Sequence, residues 1–253
     1  MKPVQEGSEL HLLNPIPVWK RKITDEEVGN VEEFNSKLIE ISKEHYSNWE
    51  TEVPDERHLD KSGISEEYID TLNNRDVFSH TQKPAVGKWH AVPTNNFLNL
   101  DVPEVKKLKE IILEDYSNAL TNFASLGYDL QYNLNEINNS KLQLDESWMQ
   151  YYKDGDYKVL HNHLRYEKDD IFKHIWAGGY YINDGKPDKW QPYSGRFEFN
   201  IKNNRYFVKP ESGMIMLWPG DVLHAVNPFY GEEERICINF NLSTRIQTKR
   251  NLI

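Results

Sequence analysis

The second half of the chain alternates apolar and polar residues with a period of two, and this pattern limits the fold more than any other feature of the sequence. From about Leu142, short segments rich in Trp, Tyr, Phe and Ile are separated by turns that contain Gly, Pro, Asn and Asp. The predicted strands are residues 147–152, 176–182, 195–201, 205–208, 213–218 and 235–242. Short strands at such spacing are typical of sandwiches and barrels, and the double-sheet jelly roll leaves one open mouth. We therefore expect a mainly β fold, a double-stranded β-helix (jelly roll).

The first half of the chain carries helical periodicity instead. One amphipathic pattern runs from a capping box that begins at Thr24 to about His45. A second and stronger pattern runs from Asp101 to Phe123, with a proline near its start. We expect these helices to pack on the outside of the sheet, because each has one apolar face to bury.

The sequence predicts a single domain rather than separate modules. No internal repeat or clean linker divides residues 1–253. We divide this domain into a helix- and loop-rich part, 1–141, and a jelly-roll core, about 142–245. A polar, proline-bearing passage occupies residues 49–88, and we expect the wider segment 50–100 to cover the mouth and select the substrate.

Charge and cysteine content exclude several classes of protein. Lys and Arg number 30 against 40 Asp and Glu, which gives a formal charge of −10 and argues against nucleic acid as a partner. The longest apolar stretch, Met214 to Trp218, is too short to cross a bilayer, so we expect no membrane partner. The single cysteine, Cys237, cannot form an internal disulfide and is interpreted as a small strand residue rather than a nucleophile.

Three histidines fall where predicted strands could bring them together. His161 and His163 follow the strand 147–152, and residues i and i+2 face the same way in extended backbone. His224 lies 224 − 161 = 63 residues after His161, directly behind the turn 219–221. Imidazoles that share one face can bind the same metal ion, so these three histidines are the candidate metal ligands.

An arginine follows the third histidine at the start of the last predicted strand. Odd positions of this strand are polar, beginning with Arg235, whereas even positions are apolar. In an open sheet the polar face would be solvated, but in a jelly roll it can line the mouth. A guanidinium there would bind a carboxylate through two hydrogen bonds. Arg235 therefore predicts an acidic ligand.

This order of residues resembles the 2-oxoglutarate and Fe(II)-dependent oxygenases, specifically those of prolyl-4-hydroxylase-like type found in phages and bacteria. The resemblance covers about 94 residues, from Trp148 to Asn241. Its landmarks are Tyr152 to Gly155, His161, Tyr180 to Asn183, Pro219-Gly220 before His224, and Arg235.

The resemblance implies a role for each matching position. His161 and His224 match the two histidine ligands of the family's iron, and Arg235 matches the residue that pairs with the distal carboxylate of 2-oxoglutarate. Tyr181 matches a tyrosine that supports the same carboxylate. Cosubstrate-pocket residues are expected at Tyr152 and Asn241.

One position departs from the family pattern. The family motif is His-x-Asp or His-x-Glu, whereas His163 stands in the third place. Three neutral imidazoles leave a more positive metal centre than two imidazoles and a carboxylate. We predict that His163 ligates the metal. Two alternatives are that Glu167, Asp169 or Asp170 supplies a carboxylate, and that the pocket is degenerate and binds metal weakly.

These features predict a non-haem dioxygenase of hydroxylase type that uses Fe(II), 2-oxoglutarate and O2. The alternative is a cupin-like metal- or ligand-binding jelly roll without oxygenase activity, and a third hypothesis is an interaction protein with incidental histidines. The family branch implies a protein side chain as substrate by analogy, and a small molecule suits the sequence equally well. We expect a cytoplasmic location, in the host cytoplasm if the protein is viral, and a homodimer would be compatible with the sequence.

Overall fold

Two antiparallel sheets form the body of the protein. The computed structural model describes residues 9–13, 16–52, 97–125, 141–163 and 174–245. The larger sheet has six strands, which lie side by side in the order 9–13, 16–22, 214–219, 174–181, 235–245 and 141–152, and the smaller sheet has four in the order 158–161, 224–226, 197–201 and 204–208. Strands that follow one another in the sequence are thus distributed between two facing sheets, as in a jelly roll. The predicted double-stranded β-helix is confirmed.

The strands of the larger sheet include the longest in the structure. They are β1 (Glu9–Leu13), β2 (Ile16–Lys22), β3 (Lys141–Tyr152), β5 (His174–Tyr181), β8 (Met214–Pro219) and β10 (Arg235–Arg245). Those of the smaller sheet are β4 (Lys158–His161), β6 (Phe197–Ile201), β7 (Asn204–Val208) and β9 (His224–Val226). Sequence periodicity did not predict β1, β2, β4 or β9.

The helices lie on the outer face of the larger sheet. They are α1 (Asp25–Val28), α2 (Val31–Glu52) and α3 (Pro103–Ser125), and a 3-10 turn, Phe97–Asn99, precedes α3. The first predicted helix is in fact two, because Gly29 adopts a positive φ of 87° that ends α1. The side chain of Asn30 then accepts the backbone N–H of Glu33 at 2.9 Å and starts α2.

Each face of the larger sheet packs against its own hydrophobic core. The outer core joins Leu38 of α2 and Phe123 of α3 to Trp176 and Phe240 of the sheet. Gly178 permits this packing, since a Cβ there would lie 2.3 Å from Cε2 of Phe240. The inner core fills the space between the two sheets. Its members include Phe197, Phe199, Met216, Trp218 and Cys237.

A buried ion pair fixes α3 to the sheet. The Nε of Arg21 donates to both carboxylate oxygens of Asp115, at 2.7 and 2.9 Å, and its other nitrogens reach Glu27. The side chain of Asp115 is 0% exposed. Burial raises the pKa of Asp115 to about 6, although the neighbouring Arg21 opposes this shift.

Some predictions concern parts of the chain outside this description. The passage 49–88 and the wider segment 50–100, which was expected to cover the mouth, lie mostly beyond the described residues. Among the helices that the structure describes, none is long and apolar enough to span a bilayer. The predicted single domain and cytoplasmic location stay predictions.

Candidate metal and cosubstrate site

Three histidines meet at the end of the smaller sheet. His161 of β4 and His224 of β9 are direct partners across the antiparallel pair. His163 lies two residues past His161, where its backbone N–H donates to the carbonyl of Gly220 at 2.8 Å. One ligand atom from each ring lies within 4.8 Å of the other two. The structure therefore brings together all three candidate metal ligands.

Hydrogen bonds select the same tautomer for the three imidazoles. Nδ1 of His161 lies 2.8 Å from the carbonyl of Val159, and Nδ1 of His224 lies 2.8 Å from that of Val222. Nδ1 of His163 lies 2.5 Å from Oδ1 of Asn241. Because carbonyl and amide oxygens only accept, each Nδ1 carries the proton. The lone pair of each Nε2 is left to ligate a metal.

The surroundings of His224 favour its neutral form. Its side chain is buried, stacks on Phe197 at 5.2 Å and meets the ring of Trp218 edge-on at 5.0 Å. Burial, aided by His161 and His163, holds the pKa of His224 well below its usual range. A metal ligand must be neutral imidazole at physiological pH, so this environment suits metal binding.

The three rings also fit a metal by the chemistry of their donors. Nitrogen donors of intermediate softness suit Fe, Zn, Cu and Ni, and three protein ligands leave further positions open for small molecules. Glu167, Asp169 and Asp170, the alternative sources of a carboxylate, lie outside the described residues.

Strand β3 places a row of side chains beside the histidines. Its even positions, 146, 148, 150 and 152, pair with the polar odd positions 241, 239, 237 and 235 of β10. The even positions of β10 belong to the outer core, while Cys237 belongs to the inner core. The alternation read from the sequence of β10 therefore separates its faces as expected.

Arg235 lies at the far end of this row, between aromatic rings. It is 2% exposed, and its guanidinium carbon lies 4.0 Å above the ring of Tyr152 and 5.5 Å from that of Phe229. Nη1 donates to the carbonyl of Gly195, whereas Nε has no hydrogen-bond partner among the described residues. A buried donor without an acceptor costs about 1–3 kcal/mol, so the guanidinium is suited to an anionic ligand.

Other groups around Arg235 are apolar or neutral. Tyr181 is 3% exposed, and burial raises its pKa and that of Tyr152. Burial also raises the pKa of Cys237 to about 11. These groups stay protonated near neutral pH, so the positive charge of Arg235 is not compensated by the side chains that line it.

Two further site residues were not predicted from the sequence. Gln150 accepts from Nδ2 of Asn239 at 2.7 Å, but its own buried Nε2 has no partner among the described groups. Glu146 accepts from Nδ2 of Asn241 at 2.5 Å. Their positions in the sequence could have indicated them, because residues 146 and 150 differ from Tyr152 by an even number and therefore lie on the same face of the strand. Tyr152 itself is a predicted pocket residue.

A lysine lies close to the histidines. Lys158 is on β4, opposite Val226 of β9 and three residues before His161. Burial lowers its pKa to about 8, and its charge contributes to the low pKa of His224. With Arg235, it gives the interior of the jelly roll two cationic side chains in a chain of net charge −10.

A comparison with protein families decides which chemistry this arrangement resembles. Residues 146–241 match the family model described as "Putative 2OG-Fe(II) oxygenase". The matched oxygenase segment starts at Glu146 and ends at Asn241, so it contains all three histidines and Arg235. The resemblance inferred from the sequence is confirmed, and the oxygenase name agrees with Fe(II), 2-oxoglutarate and O2 as the family's cofactor and cosubstrates.

Solved structures of oxygenases are similar to this chain at low identity. A prolyl-4-hydroxylase from Pseudomonas putida is 19% identical, with 59% of this chain and 69% of that one covered and a TM-score of 0.38. The 2OG complex of the viral collagen prolyl hydroxylase of Paramecium bursaria Chlorella virus-1 is 17% identical, with 56% and 73% covered and a TM-score of 0.38. Iron-bound HygX from Streptomyces hygroscopicus is 16% identical, with 50% and 69% covered and a TM-score of 0.34. None of the curated proteins compared with the chain matches it.

Proposed function

We propose that this chain is a non-haem Fe(II)- and 2-oxoglutarate-dependent dioxygenase that hydroxylates a C–H bond of a protein side chain or of a small molecule. One observation carries the proposal. Three imidazoles with the same tautomer converge within 4.8 Å of one another, and the face of β10 that contacts His163 through Asn241 also carries Arg235, whose buried Nε has no partner among the described residues. The oxygenase family match covers both features.

His161, His163 and His224 would hold the iron on one face through their Nε2 atoms. The carbonyls of Val159 and Val222 fix the tautomer and orientation of two of the rings. Iron and 2-oxoglutarate, when bound, supply the reaction in which O2, the keto acid and a substrate C–H bond give succinate, carbon dioxide and C–OH.

Arg235 would anchor the distal carboxylate of the cosubstrate. Its guanidinium is held against Tyr152 and bonded to the carbonyl of Gly195, which orients Nε before any ligand arrives. Tyr181, buried beside it, would support the same carboxylate. Gln150 presents a further amide donor on the same side of the cavity.

The pocket walls would keep water away from the reacting groups. Phe197 and Trp218 pack against the ring of His224, and both are less than 5% exposed. Exclusion of water strengthens the charged hydrogen bonds inside the pocket and protects reactive species from side reactions.

The decisive experiment is an anaerobic titration of the protein with Fe(II) and 2-oxoglutarate. We expect a visible metal-to-ligand charge-transfer band in wild type and in Leu160→Ala, a control whose exposed side chain precedes His161 on the same strand. The band should be lost in His163→Ala. Survival of the band in this variant would exclude His163 as a required ligand and favour Glu167, Asp169 or Asp170 for the third place.

A folded wild-type protein without any band would contradict the proposal. Metal uptake under these conditions without formation of a cosubstrate complex would leave a cupin-like metal-binding jelly roll as the better description. Failure to bind Fe(II), Mn(II), Ni(II) or Zn(II) would instead favour the third hypothesis, an interaction protein in which the three histidines are incidental.

A further inference from the structure

His163 differs from the other two histidines in what orients it. His161 and His224 donate their Nδ1 protons to main-chain carbonyls, each two residues earlier in the chain. Nδ1 of His163 donates to a side chain, Oδ1 of Asn241, at 2.5 Å. Asn241 is 5% exposed, and the bond itself is partly buried.

The hydrogen-bond chain continues from Asn241 to a carboxylate. Nδ2 of Asn241 donates to Oε1 of Glu146 at 2.5 Å, and the two residues are cross-strand partners in β10 and β3. The register of the two strands shifts directly after Asn241. Such irregularities re-aim side chains at the end of a regular ladder. Glu146 thus lies at the last regular pair before the shift, opposite Asn241.

We propose that Glu146 is a positioning residue that acts on the metal through Asn241 and His163. Its carboxylate polarises the amide of Asn241, which strengthens the acceptor for the Nδ1 proton of His163. An imidazole that donates to a stronger acceptor is a more basic ligand at Nε2, and its tautomer and ring orientation are fixed. Glu146 therefore supplies, two hydrogen bonds away from the metal, the negative charge that three neutral imidazoles lack.

The charges in the site explain why a carboxylate at this position would favour metal binding, and this step rests on the proposed function. A divalent metal, Arg235 and Lys158 contribute +4, and dianionic 2-oxoglutarate contributes −2. The carboxylate of Glu146 lowers the remaining charge of the site from +2 to +1. Uncompensated charge in a poorly solvated interior is costly, so Glu146 stabilises the metal-bound and cosubstrate-bound states over the empty one.

The test is a Co(II) titration without 2-oxoglutarate, followed by the ligand-field spectrum of the bound metal. Glu146→Gln can still accept the hydrogen bond from Asn241 but removes the charge, and we expect it to raise the Kd for Co(II) by about 10- to 100-fold. Asp145→Asn is the matched control: it removes the neighbouring charge on the same strand, where Asp145 accepts from Ser243 at 2.9 Å. Its Kd should stay within about twofold of wild type, since the bond of Asp145 to Ser243 lies outside the chain that leads from Glu146 to His163.

A double variant moves the charge instead of deleting it. Asn241→Asp combined with Glu146→Gln places the carboxylate directly against Nδ1 of His163, with a neutral amide behind it. We expect the double variant to recover at least tenfold of the affinity that Glu146→Gln loses. Wild-type Co(II) affinity in Glu146→Gln would overturn the inference, and so would equal losses in Glu146→Gln and Asp145→Asn.

A measurement on the unmodified chain covers the case in which a variant does not fold. Long-range ¹H–¹⁵N NMR spectra of the Zn(II)-loaded wild type report which ring nitrogen of His163 is protonated. Protonated Nδ1 is the expected result, and protonated Nε2 would overturn the inference. Because neither test uses 2-oxoglutarate, a missing charge-transfer band would refute the proposed oxygenase and leave the role of Glu146 to be decided separately.

Discussion

Replacement of Arg235 by methionine should change the free energy of unfolding only slightly but weaken the binding of 2-oxoglutarate strongly. In the protein alone, Arg235 is a buried cation with one donor unpaired among the described groups, and its favourable contacts are one hydrogen bond to Gly195 and the ring of Tyr152. Loss of these contacts costs about 1–2 kcal/mol, and removal of the unpaired donor and the buried charge returns about 1–3 kcal/mol. Arg235→Met should therefore change the free energy of unfolding by less than about 2 kcal/mol.

Binding of 2-oxoglutarate should respond very differently to the same change. Two charge-assisted hydrogen bonds from the guanidinium are worth about 1.5–3 kcal/mol each, so their loss should raise the Kd by about 10²- to 10⁴-fold. A ligand at 100 times its Kd stabilises a protein by about 2.7 kcal/mol, and this gain should vanish in Arg235→Met. Arg235→Lys keeps the charge but not the two-pronged geometry, and it should give an intermediate Kd.

The assay is thermal unfolding in the presence of Mn(II), which prevents turnover, with and without 2-oxoglutarate. Gly195→Ala provides an independent perturbation of the same guanidinium without a change in charge. A Cβ at this position, where φ is +58°, would lie 2.6 Å from Nη1 of Arg235 and 2.8 Å from Phe229. Both variants should lose the cosubstrate-dependent rise in Tm. Full stabilisation of Arg235→Met by 2-oxoglutarate would refute the assignment of Arg235 as the carboxylate anchor.

Three further predictions concern the core of the protein. Gly178→Ala should destabilise by about 2 kcal/mol or more, measured by urea unfolding, because the added Cβ meets the ring of Phe240 at 2.3 Å; an unchanged midpoint would contradict the packing described. Asp115→Ala should cost about 3 kcal/mol in the same assay, since it leaves Arg21 buried beside an emptied site; a cost below about 1 kcal/mol would show that the pair does not fix α3. Burial raises the pKa of Cys237 to about 11. At pH 8 the thiol should therefore react with a thiol reagent at least about 10²-fold more slowly in native than in urea-unfolded protein, and the native reaction rate should rise only as the pH approaches 11. Equal rates in the two states would mean that the thiol is not buried.

The sequence predicts the elements whose periodicity is strong and local. Strand β10 was recognisable because its polar and apolar residues alternate without interruption, and α3 because its apolar residues repeat at helical spacing. Strands β4 and β9 have only four and three residues, which is too short for any period to be visible. Strands β1 and β2 pair with each other, and β2 also pairs with β8, which lies far away in the sequence. The local sequence pattern does not encode such a tertiary contact.

The same distinction applies to the candidate site. His161, His163, His224 and Arg235 could be proposed because histidine and arginine are few and their order is informative. Glu146 is one of 40 acidic residues, and its neighbours in the sequence do not distinguish it. Its contact with Asn241 depends on the register of two strands at an irregular point, which sequence alone does not provide.

The two halves of the candidate site belong to different sheets. His161 and His224 lie on the smaller sheet, and Arg235 lies on the larger one. A keto acid that spans from the metal to the guanidinium would join the sheets as a removable cross-link. Backbone amides of β4 and β9 should then exchange with deuterium more slowly when metal and keto acid are both present than with either one, because the short smaller sheet could no longer open independently.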